Sequence, residues 1–135
     1  MIGLDTSVLV RYAMGDDPGQ SALAARAMGS LTEADPGFVS SVVLVESVWV
    51  LRRTYRLRSP EIGAFVRSLL NAREVVVEHS DAARRALATT SGDERFTDAL
   101  VAEVGVTAGA DYLLTFDRRA AELPGAKLLE LIDGD

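Results

Sequence analysis

Short apolar segments alternate with helical segments along this chain, and this alternation limits the fold more than any other feature. The strand-like segments are residues 1–4, 38–40, 74–78, 112–116 and 127–131. The predicted helices are residues 8–14, 22–31, 41 to about 56, a segment that begins at 59, 82–89, about 95–104 and 118–123. Strands that alternate with helices of roughly ten residues form parallel sheets covered on both faces. We therefore predict an α/β domain of three layers, with a central parallel sheet of four to five strands and helices on both faces.

The length and composition predict one globular domain over residues 1–135, because no repeat or linker divides the chain. Hydrophobic residues make up 48% and charged residues 25%, which excludes a disordered chain. No apolar run reaches the roughly 18 residues of a membrane span, so we expect no membrane association. The absence of cysteine and of a signal-peptide pattern favours a cytoplasmic location. The net charge of −6 argues against a protein that coats nucleic acid by electrostatics alone.

Four acidic residues, which we call the acidic quartet, each interrupt or end an otherwise apolar run. They are Asp5, Glu46, Asp98 and Asp117. A carboxylate held against apolar surface is costly unless a cation or hydrogen-bond donors compensate it. Oxygen ligands without histidine or cysteine favour Mg²⁺ or Mn²⁺ over Zn²⁺, and such sites usually perform phosphoryl chemistry. The acidic quartet therefore predicts a shared divalent cation.

The predicted elements bring the acidic quartet toward one edge of the sheet. Asp5 and Asp117 directly follow predicted parallel strands, and ligands of open α/β sheets bind beyond the carboxyl ends of strands. Glu46 is predicted on the inward stripe of its helix, and Asp98 in the first turns of another. Each acid also has a structural explanation: Asp5 and Asp117 could cap helices, and Asp98 could interact with a helix dipole. That explanation is weakest for Glu46.

Four stretches of the sequence together resemble one known family. They are residues 2–10 (IGLDTSVLV), 40–46 (SSVVLVE), 96–101 (FTDALV) and 112–118 (YLLTFDR). In this order and spacing they resemble the PIN-domain family and, within it, the VapC-type toxin ribonucleases of toxin–antitoxin pairs. The similarity spans almost the whole chain.

The resemblance implies a PIN-like fold and a metal-dependent endoribonuclease. It implies that the acidic quartet is catalytic and binds Mg²⁺ or Mn²⁺. It implies an RNA substrate, a homodimer, and neutralisation by a small cognate antitoxin. By the same likeness Thr6, Thr115 and Arg118 are candidates for positioning the substrate.

Other functions remain open at this point. One alternative is a phospho-acceptor signalling domain, which also has acids at strand ends but would need a second acid beside Asp5. Another is a catalytically silent PIN-like interaction module. A third is a DNA or flap nuclease, although the compact acidic chain has no obvious segment for gripping duplex.

A few further residues invite functional interpretation, and for each we prefer a structural one. His79 is the only histidine, and it cannot alone supply the acid and base that metal-free ribonucleases commonly use. Trp49 and Phe65 are interpreted as core or dimer contacts rather than as base-stacking platforms. Asp93 and Glu94 are expected to cap a helix. Four arginines end the helix that carries Glu46, and an RNA-guiding role for them is a secondary hypothesis: Arg52, Arg53, Arg56 and Arg58.

Overall fold

A computed structural model describes residues 1–130, in which strands and helices alternate as the sequence predicts. The strands are β1 (Ile2–Gly3), β2 (Gly37–Val39), β3 (Val75–Val77), β4 (Leu113–Thr115) and β5 (Ala126–Leu128). The helices are α1 (Thr6–Met14), α2 (Pro18–Gly29), α3 (Ser41–Arg53), α4 (Ser59–Asn71), α5 (Ser80–Thr90), α6 (Phe96–Thr107) and α7 (Arg118–Ala121). The predicted α/β class is confirmed. Residue 131, the last of the predicted fifth strand, lies outside the described residues.

All strand pairs are parallel, as predicted, and hydrogen bonds join the five strands in two groups. Strand β2 lies between β1 and β3, and β4 pairs with β5. Ile2 is in register with Gly37, which in turn is in register with Val75. Leu113 is in register with Ala126. Each strand is only two or three residues long, so the helices supply most of the packing surface.

One core lies between the sheets and the helices. Its largest fully buried side chains come from four helices and a strand, and include Phe96, Leu9, Leu44, Leu51, Ile62, Leu100 and Val39. Helix α3 buries Leu44, Ser47, Val48 and Leu51, whose spacing of three or four residues places them on one face. Among residues 1–130, the helices lack the length and apolar content that crossing a membrane requires.

Several helix boundaries differ from the sequence prediction, and two of these differences have a local cause. Helix α2 begins four residues early, because the Asp17 side chain accepts a hydrogen bond from the Gln20 N–H and Pro18 occupies the first turn. Helix α6 continues past Gly105 to Thr107, because a glycine inside a helix weakens it without ending it. The chain leaves this helix at Gly109, where φ is +99°.

The turn before α6 is held against two other helices. Gly92 has a φ of +83°, and a Cβ at this position would lie 2.5 Å from the backbone nitrogen of Gly63 in α4. Arg52 of α3 donates a hydrogen bond of 2.6 Å from Nη2 to the carbonyl oxygen of Gly92. The close approach to α4 requires a residue without a side chain. This turn fixes where α6, and with it Asp98, begins relative to α3.

Candidate active site

Asp5 and Glu46 line the same cleft between α1 and α3. Its volume is about 380 Å³, and its lining also includes Thr6, Arg11 and Tyr55. Both carboxylates are solvent-exposed. Asp5 enters this cleft because it follows β1, and Glu46 because it lies on the second turn of α3. The structure therefore brings together two members of the acidic quartet.

The Asp5 carboxylate does not cap α1. Its side chain accepts no hydrogen bond from the backbone of that helix. It accepts one from the Ser7 hydroxyl at 3.2 Å. The neighbouring Thr6 side chain is buried, and its Oγ1 has no hydrogen-bond partner within residues 1–130. A carboxylate free of capping and an unpaired buried hydroxyl thus lie side by side at the cleft.

The predicted inward position of Glu46 is wrong. Glu46 is exposed, on the face of α3 opposite the buried residues. Val42 and Trp49, its apolar neighbours on that face, are 76% and 57% exposed. Of the two interpretations of Trp49, the core contact is therefore wrong, and the dimer contact stays a prediction. Helix α3 carries apolar residues on both faces, so its sequence does not reveal which face is buried.

Asp98 lies in a second cleft, of about 320 Å³, between α3 and the start of α6. The lining of this cleft includes Trp49, Arg53, Asp93 and Glu94. Partial burial raises the pKa of Asp98, and the negative charge of Asp117 raises it further. Asp98 and Asp117 are therefore electrostatic neighbours, although they are far apart in the sequence.

Asp117 has the structural role of a helix cap. Its side chain accepts hydrogen bonds from the backbone N–H groups of Arg119 at 2.8 Å and Ala120 at 3.2 Å. Thr115 Oγ1 in turn accepts a hydrogen bond of 3.0 Å from the Asp117 N–H. The Arg118 side chain is exposed beside this cap. Thr115 thus holds the backbone of Asp117, and Asp117 begins α7.

The structure links members of the acidic quartet in two pairs, Asp5 with Glu46 and Asp98 with Asp117. Helix α3 contributes side chains both to the cleft of Asp5 and Glu46 and to the cleft of Asp98. Within residues 1–130, no group of three acidic, histidine or cysteine side chains is arranged to hold a metal ion. Mg²⁺ commonly takes one or two carboxylates and completes its coordination with water. The two carboxylates of Asp5 and Glu46 are a donor set of that kind.

Two ion pairs beside Asp98 are absent from the sequence prediction. Asp93 pairs with Arg95 at 3.0 Å, and Glu94 pairs with Arg119. Partial burial acts to raise the pKa of Asp93, but the hydrogen bonds and charge of Arg95 outweigh it and lower the pKa. Asp93 also accepts a hydrogen bond from the Arg95 N–H at 2.8 Å. The expected cap from Glu94 is wrong, because the Glu94 side chain accepts no hydrogen bond from the first turn of α6. The arginine that follows two acids in residues 93–95 was the available signal for the first pair.

A polar network borders the cleft of Asp5 and Glu46, and it too was missed. Arg11 donates hydrogen bonds to Gln20 at 2.8 Å, to Asp16 at 3.2 Å and to the Tyr55 hydroxyl at 3.1 Å. The Tyr55 hydroxyl donates to Asp16 at 2.7 Å, and this bond lowers the pKa of Asp16. Tyr55 is far from Arg11 and Asp16 in the sequence, so no local pattern predicts the contact. The network ties α1 to the segment after α3.

The sequence of this chain matches the model of one protein family. A family model described as the PIN domain matches residues 2–126. The chain belongs to the PIN domain family. The match covers β1 through the start of β5, and so includes every member of the acidic quartet in this PIN domain.

The chain is also similar to solved structures of individual proteins. The crystal structure of VapC20 from Mycobacterium tuberculosis, described as a toxin that cleaves the sarcin–ricin loop, is 21% identical to this PIN domain. The alignment covers 90% of this chain and 94% of VapC20, with a TM-score of 0.47. No curated protein matches the chain. The family assignment rests on the family model.

Proposed function

We propose that this PIN domain is a metal-dependent endoribonuclease that acts as a toxin and is neutralised by a cognate antitoxin. The observation that carries the proposal is the unpaired charge of the acidic quartet. No member of the quartet takes part in an ion pair within residues 1–130, whereas the nearby Asp93 and Glu94 both do. Carboxylates left without a basic partner beside a cleft are suited to a bound cation.

The proposed metal ligands are Asp5 and Glu46 in one pair and Asp98 and Asp117 in the other. A bound Mg²⁺ or Mn²⁺ would activate water and neutralise charge on the phosphate. Burial and repulsion from Asp117 raise the pKa of Asp98. A bound cation would offset the cost of burying the ionised carboxylate and the repulsion between the two acids, which supports this assignment.

Three further side chains of the chain are proposed to position RNA. The exposed guanidinium of Arg118 is suited to a backbone phosphate. Thr6 lines the cleft of Asp5 and Glu46, although its hydroxyl oxygen is buried, so it would bound the space that RNA enters there. Thr115 acts indirectly, since its hydroxyl accepts the Asp117 N–H and so orients that residue.

The proposed partners follow from the same function. An antitoxin that inserts an arginine would meet complementary charge at the acidic quartet. We also propose a homodimer in the cytoplasm. Copurification of a small protein encoded beside this gene would support neutralisation by an antitoxin. Unimpaired growth of cells that express the chain alone would contradict the toxin assignment.

A catalytically silent PIN-like module is the second candidate. The observation that favours it is that no group of three or more acidic, histidine or cysteine side chains within residues 1–130 is arranged to hold a metal ion. The phospho-acceptor alternative is not retained, because the family is PIN. That function would also need an acceptor aspartate at the end of the third strand. The residue after β3 is Glu78, and its carboxylate already accepts a hydrogen bond of 2.9 Å from the Ser41 N–H.

Cleavage of total RNA by the purified chain separates the two candidates. A hydrolase that uses water leaves 5′-phosphate and 3′-hydroxyl ends, which end-sequencing identifies together with the cleavage site. We expect such ends from the wild type and none from Asp5→Asn or Asp98→Asn. Asp111→Asn is the matched control, because Asp111 is exposed and precedes β4 at its amino end. Equal cleavage by all four proteins would contradict the proposal.

A further inference from the structure

Trp49 is the only tryptophan of the chain, and more than half of its side chain is exposed. It lies on α3 on the opposite face from Leu44 and Leu51, which are fully buried. Its exposed surface contributes to the cleft that contains Asp98. A large aromatic side chain that packs little in the core and borders a candidate active site is available for contact with a ligand.

Two arginines lie beside Trp49 in the same cleft. Arg53 follows Trp49 by four residues and is therefore its neighbour on the helix surface. Its side chain is exposed and forms no ion pair within residues 1–130. Arg52 is held by its hydrogen bond to the Gly92 carbonyl. The cleft is thus lined by the aromatic surface of Trp49, the Arg53 cation and Asp98.

The other acids of this cleft do not cancel that cation. Asp93 is paired with Arg95, and Glu94 with Arg119. Their partners neutralise them locally, so Arg53 keeps a charge that can bind an anion. A second copy of the chain would be favoured by apolar surface alone, but an arginine cation beside the aromatic ring favours a phosphate-bearing partner.

We propose that Trp49 and Arg53 bind a single-stranded segment of RNA next to the acidic quartet. An unpaired base stacks on the indole of Trp49, and Arg53 binds a backbone phosphate. The proposal rests on RNA being the substrate, and it specifies unpaired RNA rather than duplex, whose bases are stacked on one another and cannot reach the indole. Trp49 and Arg53 would position the strand without taking part in hydrolysis.

Tryptophan fluorescence tests the contact directly, since Trp49 is the only tryptophan. An oligoadenylate of roughly ten nucleotides is titrated into the wild-type chain in EDTA, so that binding is measured without metal-dependent cleavage. We expect quenching that weakens with salt, and weaker binding of the same length of duplex RNA.

Anisotropy of a labelled oligoadenylate extends the test to variants. Trp49→Ala should bind about tenfold more weakly or worse, and Trp49→Phe should retain most of the affinity. Arg53→Gln should weaken binding and reduce the salt slope by about one. Leu23→Ala and Arg26→Gln, on exposed positions of α2 outside this cleft, are the matched controls and should bind as the wild type.

Three results would overturn the inference. They are the absence of quenching, unchanged binding by Trp49→Ala and Arg53→Gln, and a change from dimer to monomer in Trp49→Ala with RNA binding intact. The last result, seen by sedimentation, would make this face a contact between copies. Failure of the proposed nuclease is distinguishable: the chain would then bind oligoadenylate through Trp49 but cleave no RNA when Mg²⁺ is added.

Discussion

Arg52 and Gly92 are joined by a hydrogen bond of 2.6 Å that fixes the turn before α6 against α3. Gly92 reaches this position only because its φ of +83° and its lack of a side chain allow close approach to Gly63. Asp98 lies in the first turn of α6, directly after this turn. The distance between Asp98 and the α3 side chains therefore depends on a glycine that has no chemical role.

Gly92→Ala is expected to destabilise the fold by at least ~1–3 kcal/mol, from backbone strain and from the clash of the new Cβ with α4. Chemical denaturation measures the change. Gly29→Ala is the control, because Gly29 lies in α2, where a Cβ would meet no packing neighbour within 4 Å. That control should be neutral or slightly stabilising. Equal stability of Gly92→Ala and the wild type would contradict the role of this turn.

Asp98→Asn is expected to raise the melting temperature in EDTA. Burial and the charge of Asp117 raise the pKa of Asp98, so the ionised form opposes folding above that pKa. The neutral amide removes this cost, while cleavage activity should be lost. Thermal denaturation at pH 7 checks the first expectation, with Asp111→Asn as the unchanged control. A lower melting temperature for Asp98→Asn than for the wild type would show that its charge is already compensated.

Asp93 is expected to stabilise the fold at neutral pH and to lose this effect in acid. Its folded-state pKa is lowered, so its contribution is fully present above the unfolded value of about 3.9 and is lost as the pH falls through the folded pKa. Asp93→Asn should therefore melt below the wild type at pH 7. The difference in melting temperature between Asp93→Asn and the wild type should narrow when the pH is brought below about 3.9. A gap that is constant with pH would exclude the Arg95 pair as its cause.

Asp117 combines a helix cap with a proposed metal ligand, and two substitutions separate these roles. Asp117→Ala removes the acceptor for the Arg119 and Ala120 N–H groups and should cost about 1 kcal/mol of stability. Asp117→Asn can still cap the helix, so it should keep most of that stability while losing cleavage activity. Comparison of unfolding free energy with cleavage rate checks both expectations. Full activity in Asp117→Asn would remove Asp117 from the proposed metal ligands.

The parallel α/β fold could be predicted from sequence because its signals are local. The segment 75–77 contains only valine and is bounded by polar residues, which is typical of a buried strand. The Asp17–Pro18 start of α2 has an equally local cause, although the sequence prediction began that helix later. Features of this kind depend on neighbouring residues alone.

The arrangement of the site could not be predicted to the same extent, because it depends on tertiary packing. The stretch from Val42 to Leu51 is apolar on both faces, so periodicity could not place Glu46 or Trp49 outside the core. The contact of Tyr55 with Arg11 joins residues far apart in sequence. Sequence order identified the acidic quartet as a candidate site, but which of its members lie together depends on how the elements that carry them pack.

Restoration of cleavage by metal tests most directly whether the carboxylates work through a divalent cation. The chain is stripped with EDTA, and the cleavage rate of RNA is followed as Mg²⁺ or Mn²⁺ is added to the wild type, Asp5→Asn and Glu46→Gln. We predict no cleavage in EDTA, saturable recovery in the wild type, and no recovery in either variant. Cleavage that persists in EDTA, or that both variants recover at the wild-type metal concentration, would contradict a metal-dependent nuclease built on these residues.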